Sequence, residues 1–288
     1  MHPARQCSTP VATGRDCRRW PAAVLVSVAL LALAPALAAR QIRFQHLGLE
    51  DGLSHSYVTA IVSDRRGFLW FGTQDGLDRY DGYAIRAFRH DPDDPRSLSN
   101  NFVTKLLIDH AGDLWVGTYG GGLERFDRRS ETFTHYQQDE ARPGSLSNDH
   151  VHAIFEDSRR NLWVGTDEGG LDRLDRRTDT FVHYRNSADP RSLATNDVWG
   201  IAEDRDGSLW IATFGAGLDH LDPARGTFEH HAHDPADPHS LSHDEVWSAY
   251  VDSQGRVWAG TYGGGLELYD RASNGFRHYR HDAKDPTS

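Results

Sequence analysis

Cysteine is nearly absent from this sequence of 288 residues. Its only two cysteines, Cys7 and Cys17, lie within the first 39 residues. The rest of the chain can therefore form no disulfide, and it has no thiol for nucleophilic catalysis or metal binding. Because no cross-link is available beyond that segment, we expect packed apolar side chains to stabilise the fold.

Long apolar runs are scarce as well. Only one stretch, 22–39, is apolar over 18 residues; arginines precede it at 15–19, Pro35 interrupts it, and it ends on small residues. This order is typical of a secretory signal peptide, so we expect residues 1–39 to be removed after Ala38 or Ala39 and the mature protein to be periplasmic. An uncleaved membrane anchor is the alternative, although the run is barely long enough to span a bilayer.

Positive charge is in deficit beyond the predicted signal peptide. Residues 40–288 contain 27 basic and 41 acidic residues, which gives a formal net charge of −14 with His neutral. An acidic surface argues against binding to nucleic acid and to anionic lipid. We therefore expect no nucleic-acid partner.

Catalytic signatures are missing too. The sequence has no unique Ser/His/Asp set, no carboxylate pair that stands apart from the repeats described below, and no glycine-rich loop to hold a phosphate. We expect no catalytic residue, no cofactor and no metal ion in this chain.

A repeated sequence motif organises the chain beyond residue 39. The segment L-W-V-G-T-Y-G-G-G-L-E-R-F-D at 114–127 recurs with changes from Leu69, Leu162, Leu209 and Val257, at spacings of 45 to 48 residues. Repeats of this length that are rich in strand-forming residues predict the blades of a β-propeller. The structural tryptophans of the five repeats are Trp70, Trp115, Trp163, Trp210 and Trp258.

Each repeat predicts four antiparallel strands. The first ends at an aspartate that lies six residues before the Trp and is expected to accept backbone N–H bonds in a hairpin turn. The second is L-W-x-G-T, whose Trp is expected between blades; the third is close to G-L-x-R-x-D; and the fourth is F-x-H. The aspartates are Asp64, Asp109, Asp157, Asp204 and Asp252, and the fourth-strand histidines are His90, His135, His183, His230 and His278.

The strand count predicts an incomplete ring. Residues 40–52 contain a lead-in outer strand, F-Q-H at 44–46, and five blades follow at 53–97, 98–145, 146–192, 193–240 and 241–288. The sequence thus has six F-x-H strands but five L-W strands. The fold class predicted is all-β, a propeller of four-stranded antiparallel blades with five repeats present. We expect the chain to be the front part of a longer protein whose further repeats are absent.

A family resemblance rests on these residues. The segment from Leu47 to Gly82 resembles the start of a two-component regulator propeller. Its motifs are L-x-x-E-D-G-L-S, V-x-x-I, D-x-x-G-x-L-W-x-G-T and G-L-x-R-x-D-G, in that order. The resemblance implies a periplasmic sensor domain of an inner-membrane protein. It also implies that a small β-sandwich, a membrane helix and a histidine kinase or diguanylate cyclase follow in the parent protein.

Candidate ligand-binding residues lie where the repeats differ, because residues that recur in every blade are structural. The loops after L-W-x-G-T carry Tyr119, Phe214 and Tyr262 on glycine-rich turns, which suit stacking against a sugar ring or a peptide. The first strands carry Trp199 and Trp247 directly after the repeated Val. Trp199 shares a strand face with Ile201, which favours a core Trp between blades over a ligand contact.

Two functions remain open at this point. The first is an extracytoplasmic sensor that binds an unknown small ligand, such as an oligosaccharide. It would signal through modules absent from this sequence, and a homodimer is one form in which ligand binding could be transmitted. The second is an exported propeller enzyme acting on polysaccharide, a lyase or glycosidase, or a free-standing binding scaffold. The sequence favours the first, with no enzymatic activity in this chain.

Overall fold

The computed structural model describes Phe44 and residues 46–285. The predicted signal peptide lies outside the described residues. Phe44 and His46 belong to a separate unit that ends at residue 46, and the second unit begins at Leu47. Within the predicted lead-in strand, Phe44 and His46 are not in a strand, and Leu49–Asp51 form a 3₁₀ turn. The other residues of the predicted strand, 40–43 and 45, lie outside the described residues, and each of the five described sheets has four strands without it.

Residues 47–285 contain twenty short strands. Blade 1 consists of β1 Val58–Ser63, β2 Leu69–Thr73, β3 Gly76–Tyr80 and β4 Ile85–Phe88. Blade 2 consists of β5 Val103–Ile108, β6 Leu114–Thr118, β7 Leu123–Asp127 and β8 Thr132–Tyr136. Blade 3 consists of β9 Val151–Glu156, β10 Leu162–Thr166, β11 Gly170–Asp175 and β12 Thr180–Tyr184.

The last two blades repeat the pattern. Blade 4 consists of β13 Val198–Glu203, β14 Leu209–Thr213, β15 Gly217–Asp222 and β16 Thr227–His231. Blade 5 consists of β17 Val246–Val251, β18 Val257–Thr261, β19 Gly265–Asp270 and β20 Gly275–Tyr279. Each blade is a separate antiparallel sheet whose strands pair in chain order, so the predicted all-β architecture of four-stranded blades is confirmed.

The constant spacing of six residues between Asp and Trp has a structural cause. In blade 2, Asp109 accepts the N–H groups of Ala111 and Asp113 with Oδ1, and its Oδ2 accepts the indole N–H of Trp115 at 3.0 Å. The indole bond recurs in all five blades at 2.9–3.1 Å. The aspartate thus closes the hairpin, as predicted, and also satisfies the polar atom of a Trp that is buried in the first four blades.

Neighbouring blades meet at the glycine of L-W-x-G-T. A Cβ added to Gly117 would lie 2.7 Å from Cγ1 of Val151, the first residue of the next blade's inner strand. The same crowding occurs at Gly72 with Val103 and at Gly165 with Val198. A side chain at this position would push the blades apart, which explains the glycine.

Arginines also link consecutive blades. Arg176 of blade 3 donates to Asp109 of blade 2 at 2.9 Å, and Arg271 of blade 5 donates to Asp204 of blade 4 at 2.7 Å. The residue of blade 4 equivalent to these arginines is Pro223, which has no side-chain donor. Asp157 of blade 3 therefore accepts instead from Asn161 of its own blade. These contacts join consecutive repeats and could not be derived from the repeat pattern.

The outer-strand histidines contact buried acids, with one exception. His135 Nδ1 lies 2.6 Å from Oε2 of the fully buried Glu124, and its Nε2 lies 2.9 Å from the carbonyl oxygen of Pro95. The same contacts are made by His183, His230 and His278. His90 does not share this position, so that prediction is wrong. In β4 the residue opposite Asp78 is Ala87, whereas His135 is opposite Glu124 in blade 2, so β4 is displaced along the sequence by three residues.

The outward face of blade 5 is open to solvent. Leu266 is 44% exposed, whereas its equivalents Leu77, Leu123, Leu171 and Leu218 are fully buried by the following blade. Trp258 is half-buried, and Tyr250 beside it is exposed. Ile61 of blade 1 is likewise 60% exposed. Both ends of the row of blades therefore present apolar side chains that the inner blades cover.

Candidate ligand-binding site

The candidate site begins at a bulge in the inner strand of every blade. The register shifts at the residue after the repeated Val in β1, β5, β9, β13 and β17. In blades 1 and 2 this residue is threonine, whose hydroxyl donates to the carbonyl of the next blade's Val at 2.7 Å for Thr59 and 2.6 Å for Thr104. In blades 3 to 5 it is an aromatic residue, His152, Trp199 or Trp247, so the threonine link between blades gives way to ring contacts.

These rings form a continuous row that we call the aromatic wall: Tyr119, His150, His152, Trp199, Phe214, Trp247 and Tyr262. His152 stacks on Trp199 with ring centroids 4.2 Å apart and planes 9° apart. Trp199 lies 5.4 Å from Phe214 and 4.9 Å from Trp247. Trp247 stacks with Tyr262 at 5.8 Å, and Tyr119 stacks on His150 at 4.2 Å. The five residues predicted from loop and strand positions all lie in this wall.

Backbone bonds hold the loop members in place. Tyr119 N–H donates to the carbonyl of Phe102 at 2.9 Å, Phe214 N–H to Asp197 at 3.0 Å, and Tyr262 N–H to Glu245 at 2.9 Å. The glycine after each aromatic has a positive φ, for example +91° at Gly215. Only glycine adopts this conformation readily, so the loop turns back at once and the ring is fixed at its start.

Trp199 does not share the packing environment of Ile201, although both residues lie in β13. The bulge at Trp199 breaks the alternation of β13, and its ring contacts His152, Phe214 and Trp247, whereas Ile201 packs in the core. Trp199 is only half-buried. Strict alternation failed as a guide because it cannot show a bulge.

Two buried polar atoms in the wall have no hydrogen-bond partner among the described residues, Nε2 of His152 and Nε1 of Trp199. Burial, with the nearby charges of His150 and Lys105, lowers the pKa of His152 to about 4. His152 is therefore neutral near pH 7, and its Nε2 can accept or donate according to tautomer. A buried polar atom without a partner costs free energy, and a ligand hydroxyl or carboxyl would relieve that cost.

A carboxyl pair adjoins these atoms. Burial and a hydrogen bond with Asp197 raise the pKa of Asp167, and Asp197 Oδ1 accepts the N–H of Glu168 at 2.6 Å. Asp167 Oδ2 lies 4.0 Å from Nε2 of His152. Two carboxyl groups joined by a hydrogen bond retain a proton more readily than isolated ones, so this pair can both donate and accept hydrogen bonds.

Sequence reasoning did not single out His150, His152, Asp167 or Asp197. His152 occupies the same strand position as Trp199 and Trp247, and that departure from threonine was the available signal. Asp167 and Asp197 come from different blades, so their contact appears only in the fold.

A second group, Asp109, His110 and Glu156, lies on the Asp–Trp hairpins and is close enough to hold a metal ion. The guanidinium of Arg176 already contacts Asp109 at 2.9 Å and Glu156 at 3.0 Å. Glu203 of blade 4 likewise contacts the Asp–Trp hairpin of blade 3, where it accepts from the N–H and the hydroxyl of Ser158. The group therefore works as a link between blades.

No helix in the described part of the chain is long and apolar enough to cross a membrane.

Comparisons with known proteins agree with the repeat structure. The family described as Two component regulator propeller matches residues 52–75, 97–120, 145–168, 192–215 and 240–263. The chain is similar to the extracellular domain attributed to the hybrid two component system BT3049 from B. thetaiotaomicron, at 30% identity and a TM-score of 0.73 over 81% of this chain and 31% of that one. It is also 46% identical to Histidine kinase P4 of Formosa agariphila over 48 residues, which are 17% of this chain and 4% of that protein.

A more distant likeness shows the fold alone. Virginiamycin B lyase from Staphylococcus aureus matches at 13% identity with a TM-score of 0.57, over 78% of this chain and 70% of the lyase. The chain spans about a third of the length of the BT3049 domain. With the repeats matched in all five blades, the chain belongs to the two-component regulator propeller family.

Proposed function

We propose that this chain is the ligand-binding part of an extracytoplasmic sensor and that the ligand binds against the aromatic wall. The observation that carries the proposal is the row of rings together with the unpartnered polar atoms of His152 and Trp199. Ring faces bind sugars and other rings by stacking, while a few polar groups orient them. An oligosaccharide is one ligand of this description.

The similarity to an extracellular domain of a two-component system supports a location outside the cytoplasm. In this proposal residues 1–39 direct export and are removed, so that the protein is periplasmic. A longer parent would be anchored in the inner membrane and carry a histidine kinase or diguanylate cyclase. The likeness to Histidine kinase P4 supports the first of these outputs. Ligand occupancy would act by favouring one arrangement of blades or of a homodimer over another.

The open face of blade 5 supports a further part of the proposal, that more repeats complete the ring. A surface lined by Tyr250, Trp258 and Leu266 matches the faces that the next blade covers elsewhere in the chain. Repeat proteins bury such faces against neighbours because one repeat has no core of its own.

The test is ligand binding followed by tryptophan fluorescence, with the exported chain screened against neutral and acidic oligosaccharides. Tyr262→Ala should weaken binding by about 1–3 kcal/mol if a ring stacks there, with little change in unfolding, since Tyr262 is 61% exposed. Tyr83→Ala is the matched control, because Tyr83 is exposed but lies outside the wall. Full affinity after Tyr119, Phe214 and Tyr262 are all replaced by Ala would place the site elsewhere.

A further inference from the structure

Lysine is the rarest charged residue in the chain. Of 31 basic residues only Lys105 and Lys284 are lysines. Lys105 is the third residue of β5, where the other four blades have small residues. These are Ala60, Ala153, Gly200 and Ser248.

Small residues suit this position because it faces the next blade. A Cβ added to Gly200 would lie 3.1 Å from Cα of Ser248 in blade 5. In blade 2 a long side chain occupies the position and remains accessible to solvent. Lys105 therefore breaks the repeat at a site where packing favours a small residue.

Lys105 lies beside the strand that carries one residue of the aromatic wall, His152. Thr104 Oγ1 donates to the carbonyl of Val151 at 2.6 Å, so Lys105 lies alongside the strand that carries His152. Its positive charge contributes to the lowered pKa of His152. Among the described residues no carboxylate lies within ion-pair distance of its ammonium. An accessible cation without a protein counter-charge is available to pair with a bound anion.

We propose that Lys105 selects a ligand bearing a carboxylate on a ring, with the ring against the aromatic wall and the carboxylate paired with the Lys105 ammonium. This inference rests on the proposed function and names the class of ligand. The buried indole N–H of Trp199 is a second donor that seeks an acceptor. A carboxylate can accept from either donor, whereas an ammonium ligand only donates and would leave both donors without an acceptor.

The acidic residues nearby do not cancel this preference. Asp167 and Asp197 bond to each other, and the raised pKa of Asp167 reduces the negative charge that the pair carries. Asp197 also receives the N–H of Glu168. The ammonium of Lys105 thus has no bonded counter-charge among the described residues.

The two lysines make a direct test feasible. A chain labelled with [13Cε]lysine should give two side-chain NMR resonances, with Lys105→Met assigning one and Lys284 serving as the internal control. The probes are glucuronate and benzoate, each compared with its neutral amide. We expect the acids to shift the Lys105 resonance and to raise the Lys105 pKa, because the charged form gains a partner, while Lys284 stays unchanged. Lys105→Met should weaken acid binding about ten- to hundredfold and leave amide binding unchanged.

The two acids separate a saturated sugar ring from a planar one. Amides that bind as tightly as acids, or acids that bind unchanged to Lys105→Met, would overturn the role of Lys105. If the amides alone bind and Trp247→Ala abolishes that binding, the proposed site stands and this inference fails. If binding is insensitive to Trp247→Ala, the proposed site itself fails. Absence of binding by both acids overturns the inference.

Discussion

Removing the carboxylate of Asp109 should destabilise the protein far more than removing the equivalent carboxylate of blade 5. Asp109 is 2% exposed and accepts four hydrogen bonds: from two backbone N–H groups, from the indole of Trp115, and from Arg176. Burial alone would raise its pKa, but these bonds outweigh burial and lower it. Asp109→Ala leaves a buried indole and a guanidinium without their acceptor.

The magnitude follows from those contacts. An unsatisfied buried donor costs about 1–3 kcal/mol, and breaking a buried ion pair costs about 3–5 kcal/mol. Arg176 is partly exposed and keeps Glu156, so we expect Asp109→Ala to lower the free energy of unfolding by about 3–5 kcal/mol in total. Asp109→Asn keeps an acceptor and should lose less.

Asp252→Ala is the matched control within the same chain. Asp252 accepts the indole of Trp258 at 3.1 Å, but Trp258 is half-buried and water can replace the lost acceptor. Urea unfolding of each variant, followed by tryptophan fluorescence, should rank the losses as Asp109→Ala, then Asp109→Asn, then Asp252→Ala. Equal losses for Asp109→Ala and Asp252→Ala would refute the argument that burial between blades makes this aspartate important.

Three further predictions concern pH, completeness and export. The hydrogen bond to Glu124 raises the pKa of His135, so the stabilisation from this pair should be fully present below the unfolded pKa of 6.5 and be lost as pH rises through the folded pKa. The difference in unfolding free energy between the parent and His135→Gln should therefore shrink as pH rises above about 6.5, and a constant difference would contradict this. Adding the downstream repeats should raise the melting temperature and reduce binding of an apolar dye, whereas equal stability of the 288-residue chain would identify a self-sufficient propeller. N-terminal sequencing of the exported protein should begin near Ala39 or Arg40, and an intact Met1 in a membrane fraction would argue for the anchor.

The blade architecture could be predicted because each strand is short and each repeat restates it. The Asp–Trp spacing held in every blade because a side-chain bond enforces it. His90 was misplaced because F-x-H occurs in blade 1 without the strand register that it has elsewhere. A sequence motif fixes a side chain's neighbours only when its strand pairs at the same register.

The candidate site was predicted in part. Tyr119, Phe214 and Tyr262 were found because they vary at an otherwise repeated loop, and the structure brings them into one wall with Trp199 and Trp247. The wall's polar groups could not be found in this way. Asp167 and Asp197 are in different blades, and Lys105 acts across a blade boundary, so their relations depend on how the blades pack.

The measurement that tests the central claim most directly is NMR of the tryptophan indole N–H groups. In the part of the chain that the structure describes, five indoles donate to the repeat aspartates, whereas Trp199 Nε1 has no partner and Trp247 is 47% exposed. Titration of a 15N-tryptophan-labelled chain with glucuronate, benzoate and a neutral oligosaccharide panel should shift the Trp199 and Trp247 resonances for at least one ligand and leave the five aspartate-bonded indoles in place. Ligand-induced shifts confined to the aspartate-bonded indoles, or no shift at Trp199 and Trp247 with a ligand that binds by calorimetry, would contradict a binding site at the aromatic wall.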